Sequence, residues 1–327
     1  MTKAWRIIRV LLLLLILAGG VVLCMVRWDA WFSMPEEPRF EGDTITPHFR
    51  SFRTNDYPCQ RKDSLHLVLL GDVHNTLTNA DYNAIADSSK NIDVYAQLGD
   101  FVEREQFYYL QQLLHQLDST CFDTLPLLHV AGNHEYTKGI RPNLDTMWFH
   151  TFSNPDNGPL RFHSRSYYVD FYDMRFIAID TNPLFWLSDY MVLNTWVKQT
   201  IQSAYQPWVI VMMHHPVYSS RSGRANPLIW ASMVRALRGA DVVFSGHDHV
   251  YARLGKPEAT DIEDNTPIYV SVTSTTKARQ AKQKHHFDYL YEGGPYYIDI
   301  LVTHHSLQVA AREVRGGHVI DRFEITK

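Results

Sequence analysis

Gly246-His247-Asp248-His249 follows directly after the apolar run Val242-Val243-Phe244. An apolar run of this kind is typical of a buried strand, and two histidines at its end are well placed to bind a metal ion. Two imidazoles do not complete a metal site, so the remaining ligands must come from other parts of the chain. The interpretation of the whole sequence depends on whether those ligands can be found.

Length and composition describe a globular protein. The chain has 327 residues, of which 45% are hydrophobic and 20% are charged, and this length allows one large domain or two ordinary ones. Its formal net charge is -4, and no dense run of Lys and Arg occurs. Nucleic-acid binders usually carry a basic field, so the sequence argues against a nucleic-acid partner and favours small molecules or lipids.

The N-terminus carries a candidate membrane segment. Residues 10–26 include no Asp, Glu, Lys or Arg, and the run approaches the length that a bilayer requires. Basic residues precede it: Lys3, Arg6 and Arg9. The positive-inside rule therefore predicts a single-pass anchor over residues 1–27, with the N-terminus inside and the domain outside the cytoplasmic membrane, periplasmic or extracellular. The alternative is a signal segment cleaved after Ala18-Gly19-Gly20, which would give a secreted protein.

The remainder divides into a linker and one domain. Residues 28–64 hold four prolines without a sustained hydrophobic period, which predicts a linker or extended cover. Over 65–327, strands and helices alternate first and paired strands follow, so we predict an α/β domain with mixed sheets. The predicted strands are 65–70, 93–98, 127–131, 167–171, 175–180, 208–213, 242–244, 296–302, 307–315 and 318–325. The predicted helices are 79–89, 104–117, 190–204 and 228–238.

Five of these strands end in residues suited to metal binding. The candidates are Asp72, His74, Asp100, Asn133, His214, His247 and His249. Ligands in open α/β sheets bind beyond the carboxyl ends of the strands, so these side chains are expected to converge on one crevice. Seven ligands exceed the needs of one zinc-like ion, and the mixture of donors suits two ions such as Mn, Fe or Zn. Asp100, with two carboxylate oxygens, is the natural bridge.

Each motif also has a structural interpretation. A Gly-Asp or Asn-His after a strand is common in turns and caps, and it is the recurrence at successive strand ends that favours a site. The pairs His285-His286 and His304-His305 are not at such ends, and we interpret them as structural or solvent-facing. The polar stretch 271–276, followed by Lys277 and Arg279, either borders the cleft or forms a solvated loop.

In their order along the chain, five motifs resemble those of the calcineurin-like metallophosphoesterase superfamily, over roughly residues 65–302. They are Gly71-Asp72-Val73-His74, Gly99-Asp100-Phe101-Val102-Glu103-Arg104, Gly132-Asn133-His134-Glu135, His214-His215-Pro216 and Gly246-His247-Asp248-His249. The neighbouring sequence is most similar to purple acid phosphatases and their bacterial relatives. The resemblance implies a sandwich of two mixed β-sheets flanked by helices, with a dinuclear site at the sheet edge.

The resemblance also implies a ligand assignment. Asp72, His74, Asp100 and His249 would hold one ion, whereas Asp100, Asn133, His214 and His247 would hold the other. Purple acid phosphatases have an iron-binding tyrosine three residues after the bridging aspartate. That position is Glu103 in this chain, so we expect a colourless site in which His74 supplies the missing ligand.

The implied activity is phosphoester hydrolysis by a metal-bridging hydroxide. His134 is the candidate that protonates the leaving group, Glu103 would orient His134, and Arg104 would contact the phosphate. The alternative for Glu103 and Arg104 is an exposed ion pair at a helix start. The substrate would be a phosphomonoester or phosphodiester, which the anchor suggests could be lipid-linked. Two other functions stay open: a non-catalytic ligand- or partner-binding module on the same fold, and a nuclease.

Overall fold

The computed structural model describes residues 62–137, 144, 146–182, 187–221, 226–255, 265–282 and 286–327. The predicted anchor over 1–27 and nearly all of the predicted linker over 28–64 lie outside these residues. Within them, no helix combines the length and the apolar character needed to cross a membrane.

Thirteen strands and five α-helices are described. In chain order they are β1 (Ser64–Leu70), α1 (Asn79–Ser89), β2 (Val94–Gln97), α2 (Phe107–Leu117), β3 (Leu127–His129), α3 (Thr146–Thr151), β4 (Tyr167–Phe171), β5 (Met174–Ile179), α4 (Leu187–Gln202), β6 (Trp208–Met213), α5 (Pro227–Ala236), β7 (Val242–Ser245), β8 (Tyr251–Leu254), β9 (Ile268–Ser271), β10 (Tyr289–Tyr291), β11 (Tyr296–Thr303), β12 (Ser306–Glu313) and β13 (Val319–Thr326).

These strands form two mixed sheets, as the sequence predicted. The first has the order β13-β12-β11-β1-β2-β3, in which β1, β2 and β3 are parallel and the three last strands form an antiparallel meander. The second has the order β10-β8-β9-β7-β6-β5-β4, with β5, β6, β7 and β9 parallel. Parallel neighbours place their carboxyl ends at the same sheet edge, which is the property on which the site depends.

The core has three layers of packing. Alternate residues of β1 point to opposite faces, so Leu67 and Leu69 pack against the second sheet while Val68 and Leu70 pack against α1 and α2. On the second sheet, Val209 and Val211 of β6 pack against α4 and α5. The two sheets therefore face each other, and helices cover both outer surfaces.

Some boundaries differ from the prediction. Helix α2 begins at Phe107 and not at residue 104, because Glu103 donates its backbone N–H to the side chain of Asn75 and the chain stays in a loop up to the cap residue Gln106. The short strands β8, β9 and β10 and the helix α3 were not predicted. The residues from 271 to 275 are buried, so the solvated-loop interpretation of this polar stretch is wrong for them.

We predict that Leu69→Ala lowers the free energy of unfolding by about 2–5 kcal/mol, because it opens a cavity between the sheets. Chemical denaturation with the wild-type protein as reference measures the change. Leu160→Ala is the matched control, since Leu160 is 74% exposed, and it should alter the free energy by no more than about 0.5 kcal/mol. Equal losses in the two variants would contradict the assignment of Leu69 to the inter-sheet core.

Candidate metal centre

The backbone leaves the strands in an unusual way at the candidate ligands. Five of the seven candidates have a positive φ angle: Asp72 (53°), His74 (50°), Asp100 (50°), His247 (71°) and His249 (56°). Non-glycine residues rarely adopt this left-handed conformation, and where they do the strain is concentrated at functional sites. The left-handed turns take the chain out of the strand direction, so neighbouring side chains of one motif need not alternate between sheet faces as they would in a continuing strand.

Two glycines allow the motifs to approach one another. A Cβ atom on Gly246 would lie 2.6 Å from Oδ2 of Asp72, and one on Gly132 would lie 2.2 Å from both the backbone N and Oδ1 of Asp100. Both distances are well inside van der Waals contact. Glycine is therefore required because the carboxylates of other motifs occupy the space.

One group of candidates comprises Asp72, His74, Asp100 and His249, all of which are buried. Nε2 of His74 lies 3.2 Å from Nε2 of His249 and 3.5 Å from Oδ2 of Asp100. Nε2 of His249 lies 3.6 Å from Oδ1 of Asp72. Two imidazole nitrogens and two carboxylates thus point at a common position, which is an arrangement that a divalent cation would stabilise.

A second group lies beside the first. Oδ1 of Asn133 is 2.9 Å from Nδ1 of His247 and 3.2 Å from Nε2 of His214, and the two imidazole nitrogens are 3.3 Å apart. Asp100 belongs to both groups, because its Oδ1 lies 3.4 Å from Nε2 of His214 while its Oδ2 faces His74. All seven candidates therefore come together, and one carboxylate lies between two sets of donors.

The hydrogen bonds of the histidines indicate which ring nitrogen is available. A backbone carbonyl only accepts hydrogen bonds, so Nδ1 of His214, 2.9 Å from the carbonyl of Leu98, carries the hydrogen. In the same way Nδ1 of His249 donates to the carbonyl of Lys277 at 3.2 Å. In the neutral form of each ring the lone pair is then on Nε2, which is the nitrogen that faces the cluster. Such a contact on the remote nitrogen is usual for metal-binding histidines, so these residues fit a metal ion.

The contacts of His134 and Glu103 differ from those that the motifs suggested. Nδ1 of His134 donates to the backbone carbonyl of Glu103, so the carbonyl and not the predicted carboxylate orients this ring. The carboxylate of Glu103 instead pairs with Lys277 and lies 3.4 Å from Nδ1 of His74. Arg104 is exposed, in the loop before α2.

His134 lies close enough to the cluster to act there. Its backbone N–H donates to Oδ1 of Asp100 at 2.9 Å, and its Nε2 is 3.9 Å from Oδ2 of Asp100. The side chain is 28% exposed. A partly open imidazole with one nitrogen anchored has its other nitrogen free to exchange a proton with a bound molecule.

Sequence reasoning assigned no role to Glu135, which holds two ligand loops together. Its buried carboxylate accepts backbone N–H groups from Asp100, Phe101, Val102 and Gly132. These contacts connect the loop after β2 to the loop after β3. Glu135 ends the Gly-Asn-His-Glu motif, but its partners are backbone groups that a sequence does not reveal.

Asp248 has a comparable position and was also quoted in a motif without a role. It is buried and accepts hydrogen bonds from the hydroxyls of Ser219 and Ser220 and from the backbone N–H of Ser220. The loop that carries His247 and His249 is therefore fixed to the segment after His214.

His215 was likewise not predicted as part of the site. Its ring packs on that of His247, with 4.4 Å between the ring centroids.

Charge is unevenly distributed among the candidates. Burial raises the pKa of Asp72 well above its usual range. Burial acts in the same direction on Asp100, but the adjacent His214 outweighs it and holds the pKa of Asp100 well below its usual range. Burial disfavours the charged form of His214, yet the neighbouring Asp100 raises its pKa to about 9. Burial lowers the pKa of His74 to about 3, so this imidazole is neutral.

Two mixed sheets that gather carboxylates, imidazoles and an amide at their strand ends define the class of metallophosphoesterases. The chain belongs to the calcineurin-like phosphoesterase family, whose family model matches residues 65–251. The predicted superfamily is thereby confirmed. No curated protein sequence matches the chain.

Solved structures show the same fold at low sequence identity. Purple acid phosphatase PPD1 from yellow lupin (Lupinus luteus) seeds has a TM-score of 0.60 and 20% identity over 83% of this chain and 55% of that chain. The chain thus spans about half the length of that phosphatase. GAP50, the anchor in the inner membrane complex of Plasmodium, has a TM-score of 0.59 and 16% identity over 81% of this chain and 89% of that chain. PhoD has a TM-score of 0.55 and 12% identity over 83% of this chain and 71% of that chain.

We predict that binding of a divalent metal releases protons. The raised pKa of His214, about 9, keeps its imidazole protonated at neutral pH in the metal-free protein, and the raised pKa of Asp72 favours its protonated form, whereas a metal ligand must be deprotonated. Apparent affinity for Mn²⁺ should therefore rise with pH up to about pH 9. Calorimetric titrations at pH 7 in two buffers of different ionisation enthalpy measure the number of protons released. An identical binding enthalpy in both buffers would contradict the prediction.

Proposed function

We propose that this protein is a dinuclear metal-dependent phosphoester hydrolase. The observation that carries the proposal is the carboxylate of Asp100, which faces His74 with one oxygen and His214 with the other. A carboxylate between two sets of nitrogen donors is the arrangement that two adjacent cations need. The proposed ligands of one ion are Asp72, His74, Asp100 and His249, and those of the other are Asp100, Asn133, His214 and His247.

Two such ions, of Mn, Fe or Zn, would supply a hydroxide nucleophile at neutral pH and neutralise charge on the phosphoryl oxygens. The residues of the chain account for the other requirements. His134 protonates the leaving alkoxide through Nε2, while the carbonyl of Glu103 holds Nδ1 and so fixes the ring. Glu135 and Asp248 keep the ligand loops in place before any ion binds, which lowers the cost of organising the site.

The position of Glu103 supports a site without the tyrosinate colour of purple acid phosphatases. The Glu103 carboxylate lies 3.4 Å from Nδ1 of the His74 imidazole. His74 then provides the nitrogen ligand on that side. The side chain of Arg104 is exposed in the loop before α2. Its proposed contact with the phosphate is therefore supported only by its place in the motif.

A non-catalytic binding module is the second candidate, and the fold that this chain shares with the anchor protein GAP50 favours it. The intact donor set argues for hydrolysis, since a module without chemistry does not need seven candidate ligands and an adjacent His134. A nuclease is disfavoured by the net charge of -4 and by the lack of a dense basic run.

Substitutions at Asp100 and His134 test the mechanism. Asp100→Asn should abolish hydrolysis of an aryl phosphate and lower the bound metal, because it removes the shared carboxylate. His134→Ala should lower kcat by about 10²–10⁴-fold, the usual contribution of general acid catalysis, while the metal is retained. Steady-state kinetics and elemental analysis of the purified proteins provide both readouts.

The matched control is His305→Ala, since His305 is exposed in the turn between β11 and β12. Its activity and metal content should equal those of the wild type. Hydrolysis that survives both Asp100→Asn and His134→Ala would refute the mechanism. A wild-type protein that binds metal but hydrolyses neither phosphomonoesters nor phosphodiesters would favour the binding module.

We also propose that residues 1–27 anchor the protein in the cytoplasmic membrane, with the catalytic domain outside. The proposal rests on the uncharged run 10–26 and on the basic residues before it. Such an anchor would bring the domain close to lipid-linked phosphoesters.

Protease added to intact cells or spheroplasts should digest the domain, and detergent should be needed to extract the undigested protein. A domain that is protected until the cells are lysed would overturn the orientation. A domain released without detergent would favour cleavage after Ala18-Gly19-Gly20 and secretion.

A further inference from the structure

Lys277 is a cationic residue beside the candidate metal centre, and none of the five motifs described above includes it. It lies beyond residues 65–251, which the family model matches. Its ammonium pairs with the carboxylate of Glu103, and the same carboxylate oxygen is 3.4 Å from Nδ1 of His74. Its backbone carbonyl accepts the Nδ1 hydrogen of His249 at 3.2 Å. Lys277 thus contacts the site through its side chain and its backbone.

The segment that carries Lys277 is fixed on two sides. Ser274 exchanges hydrogen bonds with Gly71, at the end of β1, through its backbone N–H at 2.6 Å and its hydroxyl at 3.1 Å. Arg279 donates its backbone N–H to the carbonyl of His249 at 2.9 Å. The residues between these anchors include Lys277, whose carbonyl contacts His249 of the first group of donors. The backbone at position 277 is therefore positioned before a substrate arrives.

The side chain of Lys277 has more freedom than its backbone. It is 41% exposed, and the carboxylate of Glu103 is 30% exposed. An ion pair with both partners in contact with water contributes little stability, so the ammonium can exchange Glu103 for another anion at little cost. Its flexible stem and rotatable donors suit it to bind a phosphate oxygen as a point charge.

We propose that Lys277 determines specificity by binding a non-bridging phosphate oxygen, and that it favours phosphomonoesters over phosphodiesters. This inference rests on the proposed phosphoesterase function. A phosphomonoester dianion carries one more negative charge than a diester and offers it at the open side of the centre. The ammonium of Lys277 leaves Glu103 to pair with this charge, whereas a diester places a neutral ester group there.

The test compares three variants of the full-length protein loaded with Mn²⁺. Lys277→Met removes the charge but keeps the backbone carbonyl that binds His249, Lys277→Arg keeps the charge, and Lys282→Met is the control at an exposed lysine on the same segment. The substrates are 4-nitrophenyl phosphate, a monoester, and bis(4-nitrophenyl) phosphate, a diester.

Lys277→Met should lower kcat/KM for the monoester by about ten- to a hundredfold, as expected for loss of a charged hydrogen bond, mainly through a higher KM. For the diester, kcat/KM should change by less than about threefold, which is well below the effect of losing a charged hydrogen bond. Lys277→Arg should keep most of the preference, and Lys282→Met should behave as the wild type. Equal losses of kcat/KM for the two substrates in Lys277→Met would overturn the proposal. The same loss of preference in Lys277→Arg as in Lys277→Met would also overturn it.

Binding of inorganic phosphate gives a readout that does not require turnover. Calorimetry should show that Lys277→Met weakens phosphate binding to the Mn²⁺ protein by about tenfold or more, with the bound metal unchanged. Unchanged phosphate affinity, or loss of metal from this variant, would refute the specificity role. If the wild type hydrolyses neither ester, the proposed function fails, and the phosphate measurement still decides the role of Lys277.

Discussion

Left-handed backbone at the strand ends is the constraint on which the site depends. Asp72, Asp100 and His247 each follow a glycine and turn the chain out of its strand with a positive φ. This conformation costs free energy for residues with a side chain, of order 1–3 kcal/mol each. It persists because contacts between the loops impose it: the backbone N–H of His247 donates to both oxygens of Asp72, at 2.9 and 2.7 Å. Parallel strands bring the motifs to one sheet edge, and these contacts between the loops bring the side chains of the candidate ligands close to one another.

The buried acids around the centre divide into two kinds. Asp72 and Asp100 face the imidazoles, whereas Glu135 and Asp248 accept hydrogen bonds from backbone and hydroxyl groups of the surrounding loops. Burial raises the pKa of Glu135 to about 7. Four buried carboxylates near one point repel one another, so the metal-free centre favours protons or cations in their midst. A cation bound among these carboxylates would relieve their mutual repulsion.

The sequence was sufficient for much of this architecture. Parallel strands were predictable from apolar runs that end in glycine, and because such strands share an edge, the gathering of seven polar residues followed. His247 contacts Asn133 and His249 contacts His74, whereas the assignment of these two histidines to two ions stays a prediction. Three or four residues are too few to show a period, and the strands β8, β9 and β10, unlike the equally short β2, β3 and β7, do not end in one of the candidate ligand motifs.

Other features could not be predicted because they depend on partners that a sequence does not display. The stretch 271–275 has the composition of an exposed loop, yet it is buried, and the hydroxyl of Ser274 bonds to backbone atoms of Gly71 and Tyr296. The carboxylate of Glu103 lies beside His74 and Lys277, while its backbone carbonyl orients His134. The sequence does not indicate which of these two groups contacts His134.

The residues of the site say more about the function of this chain than its fold does. A fold by itself does not determine the function of a protein, because function depends on the residues that the fold brings together. The set of donors in this chain is more specific, because carbonyls at Leu98 and Lys277 hold Nδ1 of His214 and His249 and so direct Nε2 of both rings inward. A surface selected only for binding a partner would have no reason to direct these lone pairs to a common buried position. The orientation of the imidazoles is therefore stronger evidence for metal-dependent chemistry than the likeness of fold.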